Sequence, residues 1–127
     1  MKRKLFVVLA AAVVLLMVSG TLFAHHAGVL YDREHPVNVT GTVTDFQFVN
    51  PHARIYFEAK DENGNVEKWI GETAGPQRLF RVGWNKNTLK PGDKVTVTGA
   101  PFKDGRKVLS IFKLTGGNVP VLTLGAE

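Results

Sequence analysis

Two apolar patterns divide the chain. Leu5 to Val18 is one unbroken apolar run, whereas from Val37 onward apolar and polar positions alternate in short stretches. In the first strand, Val37, Val39, Gly41 and Val43 alternate with Asn38, Thr40 and Thr42, the period of a half-buried strand. The apolar phase then slips, because Phe46 and Phe48 fall out of step with Val43. Such a slip predicts a β-bulge, a device that bends strands around small barrels.

Asn50-Pro51 ends this strand, and a second runs from Arg54 to Lys60 with Ile55 and Phe57 on one face. Asp61 to Asn65 reads as a hairpin loop, since Asn-Gly readily supplies a positive φ. Val66 to Glu72 is a third strand, with Val66, Lys68 and Ile70 opposite Glu67 and Trp69. Gly75-Pro76 opens a short helix, Leu79, Phe80 and Val82 give it an apolar side, and Gly83 is placed to stop it. After the Lys90-Pro91-Gly92-Asp93 turn, a fourth strand turns Val95, Val97 and Gly99 inward, and a fifth follows from Val108 to Thr115. Val121, Leu122 and Leu124 then form an edge strand or pack back. Three strands, a helix and two strands is the order of the five-stranded, OB-like Greek-key barrel.

The leading apolar run has a different role. It follows Lys2, Arg3 and Lys4, and is followed by Ser19-Gly20-Thr21 and then Leu22-Phe23-Ala24, the three parts of a secretory signal. It is shorter than the roughly 20 apolar residues of a membrane span. The expected organisation is a signal peptide over 1–24, a leader over 25–36, the barrel over 37–116, and a tail or edge strand over 117–127. The signal implies a periplasmic or secreted protein, touching membrane only through that peptide. With no cysteine in the chain, neither a disulfide nor a cysteine-linked lipid is available.

Three of the 16 basic residues lie in 1–24, so the remainder holds 13 against 11 acids, a net charge of +2. That is no strong nucleic-acid signal. No Gly-x-Ser-x-Gly elbow, phosphate loop or nucleophile–base pair is present, and no catalytic residue is assigned.

The four histidines, His25, His26, His35 and His52, all lie in the first part of the exported chain. Cleavage after Ala24 would free the α-amine of His25. An amine titrates near 7.7–8 and imidazole near 6.5, so both offer neutral nitrogens at mildly alkaline pH. Amine and ring of one N-terminal histidine chelate a metal, a second imidazole completes a three-nitrogen set, and such sets suit Cu(II). His52 is the expected distant ligand, held by Pro51, with Asn50 accepting its ring N–H as a supporting partner. His26 is a further candidate ligand, and His35 before Pro36 reads as a turn residue. Trp69, Arg54 and Tyr56 are the candidate residues for a non-metal ligand or a periplasmic protein partner, although Trp69 and Trp84 equally suit a core.

His25-His26, Asn50-Pro51-His52, the Gly41 to Thr44 strand, Gly83-Trp84 and the Lys90 to Gly99 segment occur in one order along the chain. In these motifs the sequence resembles an uncharacterised family of small exported bacterial proteins with Ala-His-His at the cleavage site. It departs at Ala27-Gly28, where members often carry Ser-Phe. The resemblance implies an exported OB-like domain and no particular activity. The leading expectation is a periplasmic copper-binding module. The alternatives are a non-metal ligand or protein-interaction module and, further off, an oxidative copper enzyme.

Overall fold

The computed structural model describes residues 1–5, 7–8, 30–116 and 118–125. The chain forms two compact units, Met1–Leu30 and Tyr31–Glu127. In the first, residues 2–5 and 7–8 are helical, and no described helix is long and apolar enough to cross a membrane. The expected signal peptide and the histidines at 25 and 26 fall mostly or wholly outside the described residues.

The second unit contains β1 (Val37–Gln47), β2 (Arg54–Lys60), β3 (Val66–Glu72), α1 (Pro76–Arg81), β4 (Lys94–Pro101), β5 (Val108–Gly116) and β6 (Leu122–Thr123). β1 is long enough to pair with two neighbours. Its first half lies antiparallel to β4 and its second half antiparallel to β2. Between Val43 and Asp45 the register shifts, leaving Thr44 as the extra residue of the anticipated bulge. The bulge returns Phe46 to the core side after Val43, which explains the phase slip. β2 and β3 form a hairpin, β4 and β5 another, and a short parallel pairing of Ile70–Glu72 with Val108–Ser110 closes the sheet. The result is a closed five-stranded barrel with one short helix between its third and fourth strands, an OB-like fold.

The barrel is filled by Val43, Ile55, Phe57, Val95, Val97, Leu109 and Leu114, all inward by strand alternation. The antiparallel register sets Trp69 beside Phe57, with ring centroids 6.4 Å apart. The helix differs from its expected amphipathic form. Leu79 is fully buried, but Phe80 is 71% exposed and Val82 46% exposed. Six residues make under two turns, so the helix presents one residue to the barrel. The second plug comes from just beyond it. Gly83 takes φ 86°, Gly83 N–H donates to Phe80 O and Trp84 N–H to Leu79 O, a Schellman turn that swings Trp84 inward. Trp84 is fully buried, and its indole N–H donates to Pro120 O at 3.1 Å. This bond ties down the tail, which forms a short edge strand and also packs back through Leu122 and Leu124.

Candidate functional site

The β1–β2 connection carries the one histidine of the predicted pair that the structure describes. Ala53 is fully buried and continues the hairpin past its last strand pair. Its N–H donates to Ala74 O and its carbonyl accepts from Thr73 N–H. These bonds fix the backbone beside exposed His52. The Asn50–Pro51 peptide before it is cis. On the other side of the loop stands Gly75. A β-carbon there would sit 2.6 Å from Pro51 O, so only glycine allows this closeness.

His52 Nδ1 lies 3.1 Å from the carbonyl oxygen of Thr73. A carbonyl only accepts, so Nδ1 carries a proton, and in the neutral form of such a ring the lone pair lies on Nε2. This is how ligating histidines are commonly oriented, with the outer N–H given to a carbonyl or carboxylate. Asn50 was expected in that supporting role; the partner is instead the Thr73 backbone. A backbone acceptor leaves no trace in a sequence. The Thr73 hydroxyl is buried and has no hydrogen-bond partner among the described residues.

The neighbouring residue in β3 holds the leader. Tyr31 O–H donates to Glu72 Oε2 at 2.7 Å, and its ring stands edge-on to Phe102, 4.9 Å between centroids. Asp32 N–H donates to Pro101 O at 2.8 Å. Burial first, and then the hydrogen bond and negative charge of Glu72, push the Tyr31 phenol above its ordinary pKa. Arg54 Nε lies 3.5 Å from the other oxygen of Glu72. Arg106 lies over the Phe102 ring, 4.0 Å from its centroid. Glu72 and Thr73 are consecutive, so the leader's phenol and the loop's imidazole are fastened to adjacent positions at one end of β3. Sequence reading missed Tyr31, Glu72 and Thr73, because contacts across 41 and 21 residues have no local signature.

The candidates for a non-metal ligand do not converge. Arg54 and Tyr56 share the outer face of β2, and Tyr56 O–H donates to Gln47 Oε1 at 3.4 Å. Trp69 is only 9% exposed and faces inward beside Phe57, with its N–H on Glu67 and the Lys107 ammonium 5.0 Å from its ring centroid. It is a core residue rather than the floor of an open groove. His35 behaves as a turn residue, its Nδ1 3.1 Å from both carboxylate oxygens of Asp32. Among the described residues, no group of three or more His, Cys, Asp or Glu is arranged to hold a metal ion.

No curated protein matches the chain. Among solved structures it is similar to a mutant TiaS in complex with agmatine, at 21% identity and TM-score 0.44, covering 76% of this chain. It spans only 24% of that protein. It is also similar to a small single-stranded DNA-binding protein from Streptomyces coelicolor, at 15% identity and TM-score 0.44, covering 65% of this chain and 92% of that one. Residues 12–110 match a family of unknown function, DUF6152, and the chain belongs to that family.

Proposed function

We propose that the protein is an exported module that binds a transition metal, copper first, through the α-amine and ring of His25 and the Nε2 of His52. The observation that carries this reading is the bond from His52 Nδ1–H to Thr73 O. It selects the tautomer whose free nitrogen is a metal donor and holds the ring still. A second feature supports it. Tyr31 is fastened to the residue next to Thr73, and His25 lies six residues before Tyr31, a contour of at most roughly 20 Å. Export follows from the basic, apolar and small-residue order of residues 1–24, and it supplies the free amine. His26 is a secondary candidate donor, since its side chain points away when His25 chelates.

The chemistry proposed is capture and holding of the ion; no residue is assigned a catalytic part. Copper titration of the protein processed to His25 tests it, alongside a form with one extra N-terminal residue and His52→Ala. Both changes weaken binding if amine and imidazole share the ion. Equal affinity in all three proteins refutes the site. Affinity also falls as pH drops and the donor nitrogens take up protons. Mass spectrometry of the exported protein tests the premise, since a start elsewhere than His25 removes the chelating amine.

A further inference from the structure

The helix that failed to bury its expected apolar side leaves an unusual surface. Phe80, at 71% exposed, is the most exposed aromatic ring in the barrel unit, and Val82 is also exposed. Neither fills the barrel, where Leu79 and Trp84 already close that end. Along the chain the charge that follows is mostly of one sign, with Glu72 and Asp93 at its two borders and the Asp93 carboxylate accepting from Lys90 N–H. Residues 73–92 hold Arg78, Arg81, Lys86 and Lys90 and no acid. This stretch carries +4 while the exported chain as a whole carries +2, so the rest of that chain is net acidic by two charges. All four basic residues are exposed, as are the uncharged Gln77, Asn85 and Asn87 of the same stretch.

We infer that the α1 face, from Gln77 to Lys90, docks on a lipid bilayer carrying anionic headgroups. Phe80 enters the interface, and Arg81, Lys86 and Lys90 meet the headgroup charge. An exposed aromatic next to clustered cations is the arrangement that binds such surfaces, where apolar insertion and electrostatic attraction add. A bilayer suits the patch better than an acidic protein does, because it engages the exposed apolar Phe80 and Val82 as well as the cations, whereas an acidic surface engages the cations alone. Docking does not depend on copper, and the His52 loop, which abuts Gly75 at the start of α1, would face the same end of the barrel.

The test uses protein starting at His25, which keeps every core residue from Val43 to Leu124 and lacks the apolar run of 1–24. Partition is measured by co-sedimentation with phosphatidylcholine vesicles and with an equal mixture of phosphatidylcholine and phosphatidylglycerol. Binding to the mixture, and little to phosphatidylcholine alone, is expected. Raising salt to about 1 M shortens the screening length to about 3 Å and releases the protein. Lys86→Gln weakens partition about five-fold, the effect of one cation near a charged surface. Phe80→Ala weakens it about ten-fold or more at unchanged charge, through the lost apolar insertion. Both residues are exposed, and unchanged melting temperatures verify that the variants fold. Equal partition to both vesicle types overturns the inference, as does full binding by both variants. Retention on immobilised polyglutamate with no vesicle binding also overturns it, and assigns the face to an acidic protein instead.

Discussion

Tyr31→Phe removes one oxygen and leaves the ring against Phe102. The lost contact is the 2.7 Å hydrogen bond to Glu72, whose carboxylate keeps Arg54 at 3.5 Å and is 32% exposed. Hydrogen bonds to charged groups contribute about 1.5–3 kcal/mol. Water and Arg54 partly replace the donor here, so the lower figure applies, about 1.5 kcal/mol. In a domain of this size each kcal/mol moves the melting temperature by about 4–8 °C, which gives a fall of roughly 6–12 °C at neutral pH. Circular dichroism melts check it, and a change within experimental scatter refutes the assigned bond. The pH dependence is a second, independent check. Burial and Glu72 raise the phenol's pKa in the folded state, while an unfolded tyrosine titrates near about 10. The folded protein therefore holds this proton more tightly than the unfolded chain does. Its contribution is complete below about pH 10 and is lost as pH climbs toward the folded value. Wild type should lose stability faster than Tyr31→Phe above about pH 10, so the gap between the two narrows. A gap that stays constant or widens through that range would falsify the account, since lysine titration is common to both proteins.

Three further outcomes follow from single contacts. Thr73→Val should stabilise the barrel by about 1 kcal/mol, because it replaces a buried hydroxyl that has no partner; destabilisation in denaturant melts would reveal a partner for that hydroxyl. Gly75→Ala places a carbon 2.6 Å from Pro51 O, so it should cost about 1–3 kcal/mol and weaken copper binding by moving the His52 loop, measured by melting and titration together. Trp84→Phe removes the donor to Pro120 O, and should cost roughly 1–3 kcal/mol and speed amide exchange at Leu122 and Leu124 more than in the strands of the barrel.

Strand faces were legible where only one face is apolar. Val95 and Val97 alternate with Lys94, Thr96 and Thr98, so period two decides what is buried. The bulge was legible too, because an extra residue must shift the phase between Val43 and Phe46. β3 was ambiguous, having apolar residues on both sides. Trp69 and Gly71 turn inward because they pair with Phe57 and Ile55 across the hairpin, a constraint that lies in another strand. The helix was ambiguous for a different reason. Under two turns there is no repeat to read, and the barrel end had room for Leu79 and for Trp84 from the following turn. Of the candidate metal site, the position of His52 in a loop was legible. What orients its ring was not, since Thr73 contributes only a carbonyl, the group every residue possesses.

That carbonyl makes the copper proposal separable from a simpler one. His25 and His26 alone could chelate an ion in any conformation of the chain, and such binding would be as strong in the unfolded protein as in the folded one. A ligand that binds both states equally leaves the melting temperature unchanged. A site that needs His52 exists only when β2 and β3 are paired, because Ala53, Thr73 and Ala74 hold the loop through that hairpin. Copper at about 100 times its dissociation constant should then stabilise the barrel by about 2.7 kcal/mol. At about 4–8 °C per kcal/mol, the melting temperature rises by roughly 10–20 °C. His52→Ala should bind residual copper and show no rise. A melting temperature that copper leaves unmoved in the wild type, with binding intact, confines the metal to the leader and removes the barrel from the site.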